Sequence, residues 1–224
     1  MVLFIPLQSA AITIITATYN SALYLEQCLR SLHVACCKIN HVNVAHLIID
    51  GCSDDNTIEI IKTESVTSTV VVQQTKGLYN ALNEAIALVQ SPYLMYLHSD
   101  DELAPPPVYF KAIQNHTNLI FHPNGMYPTH LEKSHPYRTD VGLVADHDHI
   151  SIIAQKTALI RVPQAKYRFR MSTESSTMQK LASASSPSEK VLPRIYLHAF
   201  ETHLFSRFIK KIFYKQSYWS SMSL

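Results

Sequence analysis

The stretch YLMYLHSDDELAPPP (residues 93–107) decides how the chain is read. Its first six residues are mostly apolar and have the length of a buried strand. They run straight into Ser99-Asp100-Asp101, and Pro105, Pro106 and Pro107 then stop the chain from continuing as strand. Two adjacent carboxylates at the end of a buried strand need partners for their charge. Either they cap a turn, or they face a cation.

Working toward the N-terminus, three more segments read as strands: AITIITA (11–17), VAHLIID (44–50) and STVVVQQ (68–74). Helical spacing separates them. Leu25, Cys28, Leu29 and Leu32 follow Asn20, a candidate N-cap. Ile58 and Ile61 follow the capping-rich turn GCSDDNT. Leu78, Leu82, Ala85, Ile86 and Val89 line a helix that opens at Lys76-Gly77 and ends at Ser91-Pro92. Strand and helix alternate at βαβ spacing. This predicts an α/β fold, Rossmann-like, with a mostly parallel sheet and helices on both faces.

In such sheets ligands bind beyond the carboxyl ends of the strands. Those ends carry Thr18-Tyr19-Asn20, Asp50-Gly51, Lys76-Gly77 and Ser99-Asp100-Asp101. Polar groups from four segments are therefore expected on one edge.

Composition narrows the partners. Only 4 of 224 residues are glycine, where about 7% is ordinary, so phosphate loops built on several glycines are excluded. A formal charge of +2 gives no sign of nucleic-acid binding. Cys28, Cys36, Cys37 and Cys52 form no CxxC pair and read as thiols in a reducing compartment. The first 25 residues carry no charge but lack a Lys/Arg start. Gln8, Ser9, Thr13, Thr16 and Thr18 also interrupt the apolar run, so a central strand is preferred to a signal peptide. No segment has the apolar length of a membrane span. The expected location is cytoplasmic.

The four strand ends suggest chemistry. Mg²⁺ or Mn²⁺ prefers oxygen ligands and is often held by one or two carboxylates plus substrate phosphates. Asp100 and Asp101 fit that pattern, with a turn cap as the plain alternative. A departing diphosphate needs such an ion. Asp50 is placed to accept hydrogen bonds from a base or ribose, or else to cap the next helix. Lys76 can neutralise a phosphate and Gly77 permits close backbone approach, while a surface lysine and a turn glycine are the plain version. Thr18, Tyr19 and Asn20 have the same alternative, a strand-to-helix cap.

Together these motifs resemble glycosyltransferase family 2, the GT-A nucleotide-diphospho-sugar transferases. ITIITATYNSALYLEQCLRSL is similar to that family's opening strand and helix, and LIIDGCSDDNT to its second-strand motif. KGLYNALNEAI and YLMYLHSDD resemble segments of a bacterial subgroup that makes surface polysaccharides. The resemblance is good over residues 11–103 and fair to about 150. It implies a GT-A fold with Thr18, Tyr19 and Asn20 bordering the nucleotide base and Asp50 hydrogen-bonded to it. It also implies Lys76 and Gly77 beside the phosphates, Asp100 facing ribose or sugar, and Asp101 on Mg²⁺ or Mn²⁺.

FHPNGMY supplies His122 for a histidine of that subgroup, and VADHDHI supplies Asp146 for its later acidic element. An inverting transfer needs a base on the acceptor side. Asp146 is the candidate, with Asp148 as fallback. The implied partners are a nucleotide-diphosphate sugar, a UDP-sugar first among them, and a carbohydrate or lipid-linked acceptor, with no nucleic acid. Thr75, Asn80, Ser91-Pro92 and His98 depart from the subgroup's pattern, which leaves the donor open.

Two rivals remain. A metal hydrolase would use His122, His130, His135, Asp146, His147, Asp148 and His149. A binding module would keep the fold without turnover.

The domain layout expected is a GT-A domain over 1–168, a flexible Ser/Thr-rich loop over 169–192 and an amphipathic basic helix over 193–224. In that helix Phe205, Phe208, Ile209, Ile212 and Phe213 alternate with Arg207, Lys210, Lys211 and Lys215. Packing on the domain is one reading. Peripheral contact with the inner face of a membrane is the other.

Overall fold

A computed structural model describes residues 5–37, 42–65, 67–104, 125–142, 145–157, 166–168 and 170. The expected loop 169–192, Arg170 excepted, and the expected helix 193–224 lie outside the described residues, as does His122.

The elements follow the predicted alternation. In order they are β1 (Ile12–Thr18), α1 (Ala22–Cys37), β2 (Val44–Asp50), α2 (Thr57–Glu64), β3 (Thr69–Val72), α3 (Leu78–Leu88), β4 (Tyr93–Tyr96), β5 (Glu102–Ala104), β6 (Met126–Pro128), α4 (Thr129–Ser134), α5 (Ala145–Lys156) and β7 (Lys166–Arg168). One sheet has the order β3-β2-β1-β4-β6, and a two-stranded ribbon pairs β5 with β7. The pairs β1–β2, β1–β4 and β2–β3 are parallel, while β6 runs antiparallel to β4. Strand order reverses beside β1, where the chain crosses from β3 to β4. The crevice at such a reversal is where open α/β sheets bind ligands.

Strand alternation sorts β1 between two cores. Ile12 and Ile14 pack with Cys28, Leu32 and Ala35 of α1, while Ile15 packs with Ala81, Leu82 and Ile86 of α3. The described helices thus cover both faces, as predicted. β2 is buried throughout, which explains its near-continuous apolar sequence. β3 is an edge strand with Val70 and Val72 exposed, so only part of VVV is core.

Polar residues inside β1 are matched. Thr13 Oγ1 lies 2.8 Å from Ser91 Oγ, and Thr16 Oγ1 lies 3.1 Å from His46 Nε2. An unmet buried hydroxyl costs about 1–3 kcal/mol, as much as burying a leucine contributes. These pairs are therefore conditions for the strand's central place.

Two local expectations change. Asn20 does not take the N-cap position. The helix starts at Ala22, and Asn20 sits at φ 48° in the turn before it. The second is Asp146 to His149, whose order gives no helical signal: these residues form the first turns of α5.

Candidate active site

The carboxyl ends of β1 and β2 make one rigid corner. Thr18 and Asp50 are partners across the ladder, Gly51 N–H donates to Thr18 O at 2.8 Å, and Gln73 N–H donates to Asp50 O at 2.8 Å. Asp50 is only 1% exposed. Its Oδ1 accepts from Thr18 Oγ1 at 2.8 Å and from Ser53 Oγ at 2.6 Å, and its Oδ2 accepts from Ser53 N–H at 2.9 Å. A carboxylate offers about four acceptor positions, so about one remains on Oδ2 for a ligand donor. Asp50 does not cap α2. The N-cap position is Asn56, and Asp55 just before it accepts from Thr57 N–H at 2.9 Å and from Ala22 N–H at 3.0 Å.

Beside this corner Tyr19 is 68% exposed. Asn20 is held from both sides: its N–H donates to Ser53 Oγ at 2.9 Å and its Oδ1 accepts from Asp54 N–H at 3.0 Å. A Cβ on Gly51 would lie 3.1 Å from Gln73 Oε1 and 3.3 Å from the Tyr19 ring, so a larger residue here would push those side chains by a few tenths of an ångström.

Lys76 and Gly77 lie exposed in the β3–α3 loop. Gly77 has φ 106°, a conformation that other residues resist. Glu84 clips the loop to α3 by accepting from Gln74 N–H and Thr75 N–H, each at 2.8 Å.

The acidic turn follows β4. Asp101 is fully buried, and its N–H donates to His98 O at 3.0 Å. Ser99 Oγ lies 2.9 Å from Ser21 Oγ, joining this turn to the start of α1. Arg170 closes it from far along the chain. Its N–H donates to Asp101 Oδ1 at 2.7 Å and its Nε donates to Asp100 O at 2.9 Å. Its guanidinium also reaches Gln27 at 2.7 Å and Glu102 at 2.9 Å and lies 4.2 Å over the Tyr24 ring. Cys28 lies beneath the turn. Burial pushes its thiol well up, and Asp101, Asp100 and Glu102 add to the rise.

No three His, Cys, Asp or Glu side chains are grouped as a metal cage among the described residues. Asp100 and Asp101 supply hard oxygen donors alone. That set fits Mg²⁺ or Mn²⁺ completed by phosphate and water oxygens, and does not fit a softer metal.

Asp146 reaches the same edge of the sheet from α5. Burial lowers the His98 imidazole, and the Asp100 and Asp146 carboxylates oppose that shift. Burial raises the Tyr79 phenol, the Asp146 charge adds to the rise, and a backbone hydrogen bond from Asp146 counters it. Asp148, two residues on, faces elsewhere and adds its charge to the field on Arg138. The two acids therefore have different surroundings.

Among the described residues, the histidines of the hydrolase rival have separate surroundings. His130 is exposed, His135 Nδ1 lies 2.9 Å from Ser134 Oγ and 3.1 Å from Leu131 O, and His149 is bonded to Glu132 at 2.8 Å. The His147 side chain lies outside the described residues.

The fold brings Thr18, Asp50, the Asp100–Asp101 turn and Asp146 to one end of the sheet. Several residues around them were missed from sequence. Ser53 and Asp55 stand in a capping-rich turn that could have pointed to them. Arg170 and Glu132 carry no local signal, and His149 was named only as a ligand of the hydrolase rival.

Among the described residues no helix is long and apolar enough to cross a membrane. The sequence model of glycosyl transferase family 2 matches residues 13–166, more than half of the chain. TuaG of Bacillus subtilis (strain 168), named for a glycosyltransferase role in teichuronic acid biosynthesis, is 28% identical over 95 residues. That match covers 41% of this chain and 36% of TuaG, so it spans about a third of the relative's length. Staphylococcus aureus TarS 1–349 in complex with UDP-GlcNAc superposes with a TM-score of 0.62 at 17% identity, over 91% of this chain and 73% of that one. The mannosyltransferase PcManGT of Pyrobaculum calidifontis, in complex with GDP-Man and Mn²⁺, gives a TM-score of 0.61 at 14% identity, over 88% of this chain and 71% of that one. At these identities the likeness is one of fold.

Proposed function

The chain belongs to glycosyl transferase family 2, and from that premise we propose that it moves a sugar from a nucleotide-diphosphate donor to a hydroxyl acceptor with inversion at the anomeric carbon. The observation that carries this reading is the gathering of Asp50, the Asp100–Asp101 turn and Asp146 at one end of a parallel sheet, at its strand-order reversal.

Each residue has a task. The remaining acceptor position of Asp50 takes a ring N–H of the base, and exposed Tyr19 covers the base face. Thr18 holds Asp50, and Asn20 shapes the turn between them. Lys76 neutralises phosphate charge, and Gly77 lets the backbone come close. Asp101, with Asp100 toward the ribose or sugar, would hold Mg²⁺ or Mn²⁺. When bound, the cation offsets the charge that builds on the departing diphosphate. Asp146 accepts the acceptor's hydroxyl proton as that oxygen bonds to the anomeric carbon and the bond to the diphosphate breaks. Asp148, turned toward Arg138, is the weaker candidate.

TarS with UDP-GlcNAc and PcManGT with GDP-Man and Mn²⁺ support a nucleotide-sugar donor and a divalent ion. TuaG supports an acceptor that belongs to a surface polysaccharide, as a carbohydrate or lipid-linked chain. Residues 193–224, as a basic amphipathic helix, would bring the enzyme to such an acceptor at the membrane's inner face. The test is calorimetry of the full chain with UDP, GDP and dTDP, with and without Mn²⁺. Binding strengthened by Mn²⁺ is expected. No binding of any of the three overturns the reading.

A further inference from the structure

Glu132 is a fully buried carboxylate on α4 that the reading above leaves unused. It accepts from the Tyr96 hydroxyl at 2.5 Å and bonds His149 Nε2 at 2.8 Å. His149 Nδ1 has no hydrogen-bond partner among the described residues. The imidazole stacks on Tyr137 at 4.0 Å, and Tyr137 stacks on Tyr79 at 5.6 Å.

The placement of this cluster is specific. His149 lies one helical turn after Asp146 on α5. Tyr96 lies two residues before His98 at the end of β4. The bonds Tyr96–Glu132–His149 therefore tie the first turns of α5 to the strand that carries the acidic turn. Buried polar pairs of this kind are often no more stabilising than well-packed apolar side chains. Their advantage is a directional bond, which fixes orientation where packing alone tolerates sliding.

We propose that Glu132, acting through His149, is a positioning residue: it locks the start of α5 against β4 and thereby sets the place of the Asp146 carboxylate. This rests on Asp146 being the general base.

The full chain is tested as Glu132→Gln, His149→Phe and the double variant Glu132→Met/His149→Phe. The double variant replaces the polar pair by apolar groups, a change that buried cores tolerate. UDP release from UDP-GlcNAc with Mn²⁺, with water as the hydroxyl that takes the sugar, gives kcat and the donor KM. The γ-carboxyl ¹³C resonance of Asp146, assigned with Asp146→Asn, reports its surroundings without any turnover. The expected result is a kcat lower by about ten- to a hundredfold, as for a misplaced reacting group. The donor KM should stay within about twofold, with a displaced Asp146 resonance and a retained melting transition.

A folded double variant with the wild-type Asp146 resonance overturns the proposal. So does unfolding of all three variants, which would make the pair a core element. Full turnover by Asp146→Asn would instead remove the base assignment, and the resonance alone would then decide the tether.

Discussion

Thr18 Oγ1 donates to Asp50 Oδ1 at 2.8 Å across the last rung of the β1–β2 ladder. With this bond and the two from Ser53, three of the carboxylate's acceptor positions are filled and about one remains on Oδ2. Thr18→Val removes the donor and keeps the volume. A hydrogen bond to a charged group contributes about 1.5–3 kcal/mol, so unfolding in urea should shift by an amount of that order. UDP affinity, measured by calorimetry, should fall about tenfold. Bases with a ring N–H (uracil, thymine, guanine) should bind, and CDP and ADP should bind more weakly. Equal affinity for UDP and CDP would remove Asp50 from base recognition.

Asp101 and Asp146 should separate metal from proton transfer. Asp101→Ala is expected to abolish turnover and to weaken UDP binding only when Mn²⁺ is present. Asp146→Ala is expected to abolish turnover with donor binding intact. EDTA should reproduce the Asp101→Ala phenotype in the wild type. Equal loss of donor affinity in the two variants contradicts both roles.

Arg170 braces the acidic turn through Asp100 O, Gln27, Glu102 and the Tyr24 ring. Its removal frees the turn without touching Asp50. Arg170→Ala should weaken Mn²⁺-dependent UDP binding about tenfold while metal-free binding stays constant. Arg170→Lys should not restore it, because an ammonium lacks the planar fork that bonds several acceptors at once. Titration of Mn²⁺ by electron paramagnetic resonance in the presence of UDP checks this.

His46 sets an acid limit on stability. It is buried in β2 between Thr16, Ser65 and Ser68, and burial, with a smaller contribution from His33, lowers its pKa to about 3. The unfolded imidazole titrates near 6.5. Between these values the unfolded chain binds the extra proton, so stability is complete above about pH 6.5 and falls as pH drops toward 3. One proton corresponds to about 1.4 kcal/mol per pH unit. His46→Gln should flatten the slope by that amount in guanidinium unfolding between pH 4 and 6. An unchanged slope in the variant would refute it.

Much of the fold was legible because its signals are local. AITIITA and VAHLIID are apolar on both faces because β1 and β2 have neighbours on both faces. The helical spacing of Leu25, Cys28, Leu29 and Leu32 records the single face that α1 buries. The placement of Asp50 and Asp101 at strand ends was legible because the carboxyl ends of strands in a parallel sheet meet at one edge. Asn20 was misread as a cap because a short polar residue serves equally well in a left-handed turn. Residues 146–149 gave no periodic signal, since a helix that packs histidine on a glutamate buries a polar face.

The amino-acid order alone determined the α/β alternation and the residue types that meet at the carboxyl edge of the sheet, because strand and helix periods are properties of neighbouring residues. Only the tertiary structure decided which groups brace them. Arg170 meets Asp101 across 69 positions and His149 meets Glu132 across 17, and pairing at such separations depends on how the elements pack, which no local pattern encodes.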